Sequence, residues 1–184
     1  MSRTAVIVID MLNPYDHQDA EALTASVERI VGPLADLVGR AHRREDVDLV
    51  YVNDNHGDFA AGREDIEALG RKGRRPDLVE PVLPPPGCAF LPKVRHSVFF
   101  GTALDYLLRR QGVETLVLTG QVTEQCVLYS ALDGYVRHYA LRVPRDCVAH
   151  IHTDLGDAAL RMMERNMGAD ITTAARCLPS EDDR

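Results

Sequence analysis

The chain has 184 residues, enough for one domain and two at most. Its composition, 45% hydrophobic and 27% charged, is that of an ordinary folded protein and excludes a disordered chain or a collagen-like repeat. A formal charge of −7 repels phosphate backbones, which argues against nucleic acid as a partner, and no apolar run approaches the ~20 residues of a membrane span.

Ala5-Val6-Ile7-Val8-Ile9 is a continuous apolar run, as expected of a strand buried on both faces, and it stops at Asp10. It is too short for a signal-peptide core. Cys88, Cys126, Cys147 and Cys177 are scattered with no Cys-x-x-Cys pair, so they read as free thiols in a reducing, cytoplasmic compartment. From Thr24 the period becomes helical, with Val27, Ile30, Val31, Leu34, Leu37, Val38 and Ala41 on one face. Asp48 to Asn53 is a second strand. Asn55 to Val79 is polar and Gly-rich, and Glu80 to Pro92 holds five of the ten prolines. Both stretches read as long connections of the kind that form lids or binding loops. The basic run Arg71-Lys72-Gly73-Arg74-Arg75 inside the first of them reads as a solvated loop.

Thr102 to Gln111 is an expected helix with Ala103, Leu104, Leu107 and Leu108 inward, and Gly112 takes the positive-φ position that ends it. Thr115 to Thr119 is a buried strand, followed directly by Gly120. A helix then runs from about Thr123 to Arg137, with Val127, Leu128, Ala131, Leu132 and Tyr135 on its apolar stripe. Tyr139 to Val143 is a strand ended by Pro144. Leu155 to Met167 is a helix with Ala158, Ala159, Met162 and Met163 turned to the core, and Ala169 to Thr172 is the last strand. Alternation of strand and helix along a whole chain implies a parallel sheet covered by helices on both sides. Residues 1–180 are read as one such domain and residues 181–184 as a frayed tail.

In open α/β sheets, ligands bind in the crevice beyond the carboxyl ends of the strands. Asp10 follows the first strand; Asn53, Asp54 and His56 lie at the end of the second. Lys93 comes just after the proline-rich stretch, and Cys126 follows the strand that ends at Thr119. Singly, each has an ordinary reading: a turn residue, a solvated lysine, a small buried thiol. Together, a carboxylate, an ammonium and a thiol suit nucleophilic acyl transfer. A thiol with a pKa of about 8.5 is only a few per cent ionised at neutral pH, and a helix N-terminus and a nearby lysine both lower that value. A carboxylate within reach can take the thiol proton and return it to a leaving amine, work typically worth about 10²–10⁴-fold in rate. His150 and His152 are close together but lack a third ligand nearby.

Four segments in order carry a resemblance: Val8-Ile9-Asp10-Met11-Leu12-Asn13; Tyr51-Val52-Asn53-Asp54-Asn55; Lys93 with Ser97-Val98-Phe99-Phe100-Gly101-Thr102-Ala103-Leu104; and Gly120-Gln121-Val122-Thr123-Glu124-Gln125-Cys126-Val127. With them the chain resembles the isochorismatase-like cysteine hydrolases, which include nicotinamidases and N-carbamoyl amidohydrolases. The resemblance implies a three-layer α/β/α fold with a six-stranded, mostly parallel sheet and a catalytic triad of Asp10, Lys93 and Cys126. It further implies a cis peptide at Gln121–Val122, with the Val122 and Cys126 amides serving an oxyanion. Asn13, Asn53, Asp54, His56, Gln121 and Thr123 would then be the substrate contacts. The implied activity is cleavage of a C–N bond in a small amide, lactam or ureido substrate through a thioester, without a cofactor, by a homodimer or homotetramer.

Nicotinamidases of this family bind a metal through Asp-x-His and a further histidine. Asp54-Asn55-His56 supplies the first half, but the next histidine, His96, lies beyond Lys93, so no metal is expected. Isochorismate-cleaving relatives lack the cysteine, and Cys126 therefore favours an amidase over a vinyl-ether hydrolase. A non-catalytic scaffold on the same fold, or a thiol redox protein with Cys88 or Cys147 as the resolving thiol, are the rival readings.

Overall fold

Successive side chains of a strand face opposite ways, and in the first strand that alternation divides the molecule into two cores. The structure, a computed structural model, describes residues 3–178; the expected tail at 181–184 lies outside them. Strand β1 (Arg3–Ile9) sends Val6 and Val8 to one side and Ala5, Ile7 and Ile9 to the other. Helix α1 (Ala20–His42) covers the first side through Val27, Leu34 and Leu37, assisted by Ile66 of α2 (Arg63–Lys72) and Leu78 of α3 (Pro76–Val79). Helices α4 (Leu104–Gln111), α5 (Leu128–Val136) and α6 (Thr153–Met167) cover the second through Leu104, Ala131 and Met163.

Between the helical layers lies a sheet in the order β3-β2-β1-β4-β5-β7, all neighbours parallel. Its remaining members are β2 (Val47–Asp54), β3 (Ala89–Lys93), β4 (Val113–Gln121), β5 (Ala140–Pro144) and β7 (Asp170–Thr172). A two-residue strand, β6 (Val148–Ala149), adds a seventh member against the end of β4. The α/β/α architecture expected from the alternation is thus present, with one short strand more than the six anticipated. From β1 the chain builds β2 on one side and β4 on the other. The crevice of the sheet therefore opens between the carboxyl ends of β1 and β4. No helix among the described residues is long and apolar enough to cross a membrane.

Gly112 ends α4 at φ 68°, as expected. Gly120 sits at φ 101° where β4 passes closest to β1, and a Cβ there would run into the backbone of Ile9. Glycine is the residue that permits both features at once.

Several sequence expectations are corrected. The stretch 55–79 contains α2 and α3, because α2 buries only Ile66 and Gly70 and offers almost no apolar period to read. The proline-rich stretch ends in β3, an edge strand, where Pro92 is tolerated because its missing N–H faces no neighbour. Ala103, Leu132, Tyr135 and Met162 are exposed rather than inward, since α4, α5 and α6 each bury a narrower stripe than their apolar content suggested.

Candidate active site

Four strand ends deliver the site. Asp10 is the first residue past β1, held in the left-handed region at φ 54° with its N–H donated to the Val52 carbonyl at 3.1 Å. Such a backbone is uncommon for a non-glycine residue and is over-represented where side-chain placement matters. Asp54 ends β2, Lys93 ends β3, and Cys126 lies five residues past β4. The Gln121–Val122 peptide is cis. Beyond it, Thr123–Val127 forms a single wide π-type turn rather than the first turn of an α-helix. In that turn the Gln125 and Val127 N–H groups both donate to the Val122 carbonyl at 3.1 Å. Ser130 locks it to the loop after β3, donating to the Cys126 carbonyl at 2.5 Å while accepting from the Val98 N–H at 3.0 Å.

Asp10, Lys93 and Cys126 meet in one cavity of about 270 Å³. Lys93 Nζ lies 2.9 Å from Asp10 Oδ2, 3.7 Å from Cys126 Sγ and 3.8 Å from Asp54 Oδ2. The lysine is 1% exposed, and a buried ammonium is tolerable only with such partners. Asp10 Oδ1 accepts from the Asp54 N–H at 2.7 Å, and the Asp10 carboxylate is close enough to the Cys126 sulfur to raise its pKa. The Val122 backbone lowers the sulfur's pKa slightly in return.

Proton affinities follow from this crowding. Burial raises the Asp10 pKa above 3.8, although Lys93 pulls against it. Burial works to lower Lys93, but the negative groups around it win and raise it above 10.5. Cys126 is pushed up to about 12, first by burial and then by the Asp10 carboxylate. The expectation of a thiol lowered by lysine and helix terminus is overturned. Lys93 still lowers it, but burial and the Asp10 carboxylate outweigh that pull. The sulfur is thus favoured in its protonated form beside the Asp10 carboxyl and the Lys93 ammonium.

Of the expected substrate contacts, Asn13, Asp54, His56 and Gln121 line the cavity, as does Val122. Asn53 does not: its amide is a buried brace that accepts from the Leu12 N–H at 2.9 Å and donates to the Leu12 and Asp54 carbonyls. Thr123 is also turned away, lining a different cavity. His17, Asp19, Leu23, Gln125 and Ile151 complete the wall, and none carried a sequence signal beyond polarity or apolarity. His96, weighed only as a distant metal ligand, has Nδ1 3.9 Å from Cys126 Sγ and its ring 5.4 Å from that of Tyr129. Its place two residues before Val98, in the loop that Ser130 ties to the cysteine turn, is the signal that could have found it.

The residues do not fit a metal. His56 Nε2 faces the Leu12 carbonyl at 3.3 Å, Asp54 Oδ1 accepts from the His56 N–H at 2.8 Å, and His96 stands beside the sulfur. Among the described residues no three His, Cys, Asp or Glu side chains are grouped to hold an ion.

Glu124 joins the cysteine turn to the segment after β6, where its Oε1 accepts the N–H groups of Ile151 at 3.0 Å and His152 at 2.8 Å. Ile151 is cavity wall, so this carboxylate holds two sides of the site together. Replacing Glu124 with alanine is expected to destabilise the protein by about 2–4 kcal/mol, because two backbone donors lose a charged acceptor. Urea unfolding checks it; an unchanged midpoint would show that the brace is immaterial.

Comparison with known proteins places these features in a family context. A sequence model of the isochorismatase domain matches residues 4–176. The isochorismatase family protein YaaI of Bacillus subtilis (strain 168) is 33% identical over 169 residues, covering 92% of this chain and 93% of its own. Ureidoacrylate amidohydrolase RutB of Methylorubrum extorquens (strain DSM 6343 / CIP 106787 / DM4) is 30% identical over 210 residues, covering 98% and 85%. The crystal structure of N-carbamoylsarcosine amidase from Thermoplasma acidophilum superposes with a TM-score of 0.72 at 29% identity, covering 94% of this chain and 96% of that one.

Proposed function

The chain belongs to the isochorismatase family, and from that premise we propose that it is a cysteine hydrolase of a small amide, lactam or ureido C–N bond. The observation that carries this reading is the buried Lys93 ammonium, within 2.9 Å of Asp10 and 3.7 Å of Cys126 in one cavity. Cys126 Sγ attacks the substrate carbonyl carbon as its proton passes to Asp10. The Val122 and Cys126 amides hold the developing oxyanion, a contribution of roughly 10²–10³ per donor in comparable sites. Collapse breaks the C–N bond, and Asp10 returns the proton to the departing nitrogen. Water then attacks the thioester, Asp10 takes a water proton, and the thiol is regenerated as the acid leaves. Lys93 keeps Asp10 ionised between these transfers and offsets charge on sulfur.

Measuring ammonia release from small carboxamides and N-carbamoyl compounds, and ring opening of lactams, tests the proposal. Turnover of at least one class is expected, and inactivity toward all three would contradict it. The relatives named for ureidoacrylate and N-carbamoylsarcosine support beginning with ureido substrates.

The pH profile has a defined sign. Asp10 must be ionised to accept the thiol proton, and its pKa is raised, so activity falls on the acid side over a limb centred above pH 3.8. Lys93 is raised above 10.5 and Cys126 to about 12, so no alkaline loss is expected near neutrality. A plot of kcat/KM against pH should therefore rise over an acid limb and show no fall in the mildly alkaline range. An alkaline limb near the ordinary thiol value would contradict the assignment.

The reading includes a homodimer or homotetramer built on the outer face of α5, where Tyr129, Leu132, Tyr135 and Val136 are exposed together. Light scattering is expected to give a multiple of the 20.4 kDa chain mass, and a monomer at working concentration would contradict it.

A further inference from the structure

The cavity around Cys126 holds more carboxylate than its chemistry uses. Asp10, Asp19 and Asp54 line it, and among the described residues Lys93 is the only ammonium or guanidinium that does. That ammonium lies 2.9 Å from Asp10 and 3.8 Å from Asp54, so its charge is already taken up by the chain's own acids. Asp19 is exposed on the same wall and forms no ion pair among the described residues. It stands at the cap position of α1, yet its side chain makes no capping hydrogen bond, so the helix does not consume the carboxylate. A helix N-terminus would otherwise attract an anion, and Asp19 has made that place negative.

The remaining lining is amide, imidazole and aliphatic, the last from Leu23, Val122 and Ile151. A substrate carboxylate would enter this wall against like charge, with no guanidinium to receive it. An ammonium would instead find acceptors that the chain leaves unpaired. At about 270 Å³ the space suits a small molecule.

We propose, resting on the amidase reading above, that the substrate is a small aliphatic carboxamide or urea bearing an ammonium group and no carboxylate. The scissile carbonyl meets Cys126, the methylenes lie on the aliphatic side, and the ammonium is held in the field of Asp19 and Asp54.

Three amides of similar length are titrated calorimetrically into the full chain carrying Cys126→Ala. They are 4-aminobutanamide, which carries the ammonium, its neutral counterpart pentanamide, and succinamate, which carries a carboxylate. Saturable binding of 4-aminobutanamide is expected, at least about tenfold tighter than that of pentanamide, with succinamate weakest. In wild-type protein the same order is expected for protection of Cys126 against iodoacetamide. Adding Asp19→Asn to the alanine variant removes one charge from an exposed residue. It should weaken 4-aminobutanamide about fivefold and leave pentanamide unchanged. An absence of saturable heat with 4-aminobutanamide overturns the proposal, as does binding no tighter than pentanamide. Equal affinity for succinamate, or an ammonium preference that survives Asp19→Asn undiminished, overturns it as well. None of these results depends on turnover; failure of the hydrolase reading would show separately, as wild-type inactivity in the ammonia and ring-opening assays.

Discussion

Replacing Cys126 with alanine is expected to lower turnover by at least about 10⁴-fold while the protein stays folded. The loss is large because no other thiol can substitute. Cys147 and Cys177 are fully buried, and burial pushes the Cys177 thiol up to about 11 and Cys147 higher still. Cys88 lies beside Arg63 and lines a cavity distinct from the catalytic one. The fold survives because alanine fits the turn, and Lys93 keeps its ion pair with Asp10 when the sulfur is gone. Circular dichroism and a thermal melt establish folding, and steady-state ammonia release establishes the rate. A folded variant with wild-type turnover would remove the thiol from the mechanism.

Asp10→Asn is expected to move two observables in opposite directions. Hydrolysis should fall by about 10²–10⁴-fold, because the proton acceptor is lost while the shape of the side chain is kept. The thiol, however, should become easier to ionise. Its pKa stands at about 12 in part because the Asp10 carboxylate disfavours a second negative charge. With a neutral amide in its place, that repulsion disappears and the Lys93 ammonium is left facing the sulfur at 3.7 Å. The pH midpoint for alkylation by iodoacetamide should therefore move down as hydrolysis collapses. Parallel loss of both reactivities would mean that Asp10 only supports the fold.

Much of this site was legible in the sequence, for a physical reason. A parallel sheet collects its strand ends on one edge, so reactive residues that follow apolar runs are brought together whatever their separation along the chain. Asp10 and Cys126 were found in that way. Lys93 was found as a candidate, yet the strand that carries it was not, because Pro92 disguises an edge strand as a loop. The apolar period of α1 is long enough to be read, whereas that of α2 is not, since two large apolar residues in ten, Ile66 and Leu69, carry no period. Asn53 was misjudged as a substrate contact because sequence reveals a polar residue at a strand end but not which backbone groups it must satisfy. The thiol's pKa was misjudged for a related reason. Lys93 does lower the thiol's pKa, but burial and the Asp10 carboxylate outweigh it, and neither the depth of burial nor that proximity can be read from sequence. His96 reached the sulfur through a loop whose path depends on Ser130 and Ser97, which bind it to the helix after the cysteine.

Intact-mass analysis of acid-quenched enzyme during turnover of its substrate addresses the central claim most directly. A mass increase equal to the acyl portion of the substrate, mapped by peptide digestion to Cys126, is the predicted result. Turnover with no adduct on Cys126 even when hydrolysis of the acyl-enzyme is slowed, or an adduct located on another residue, would contradict it.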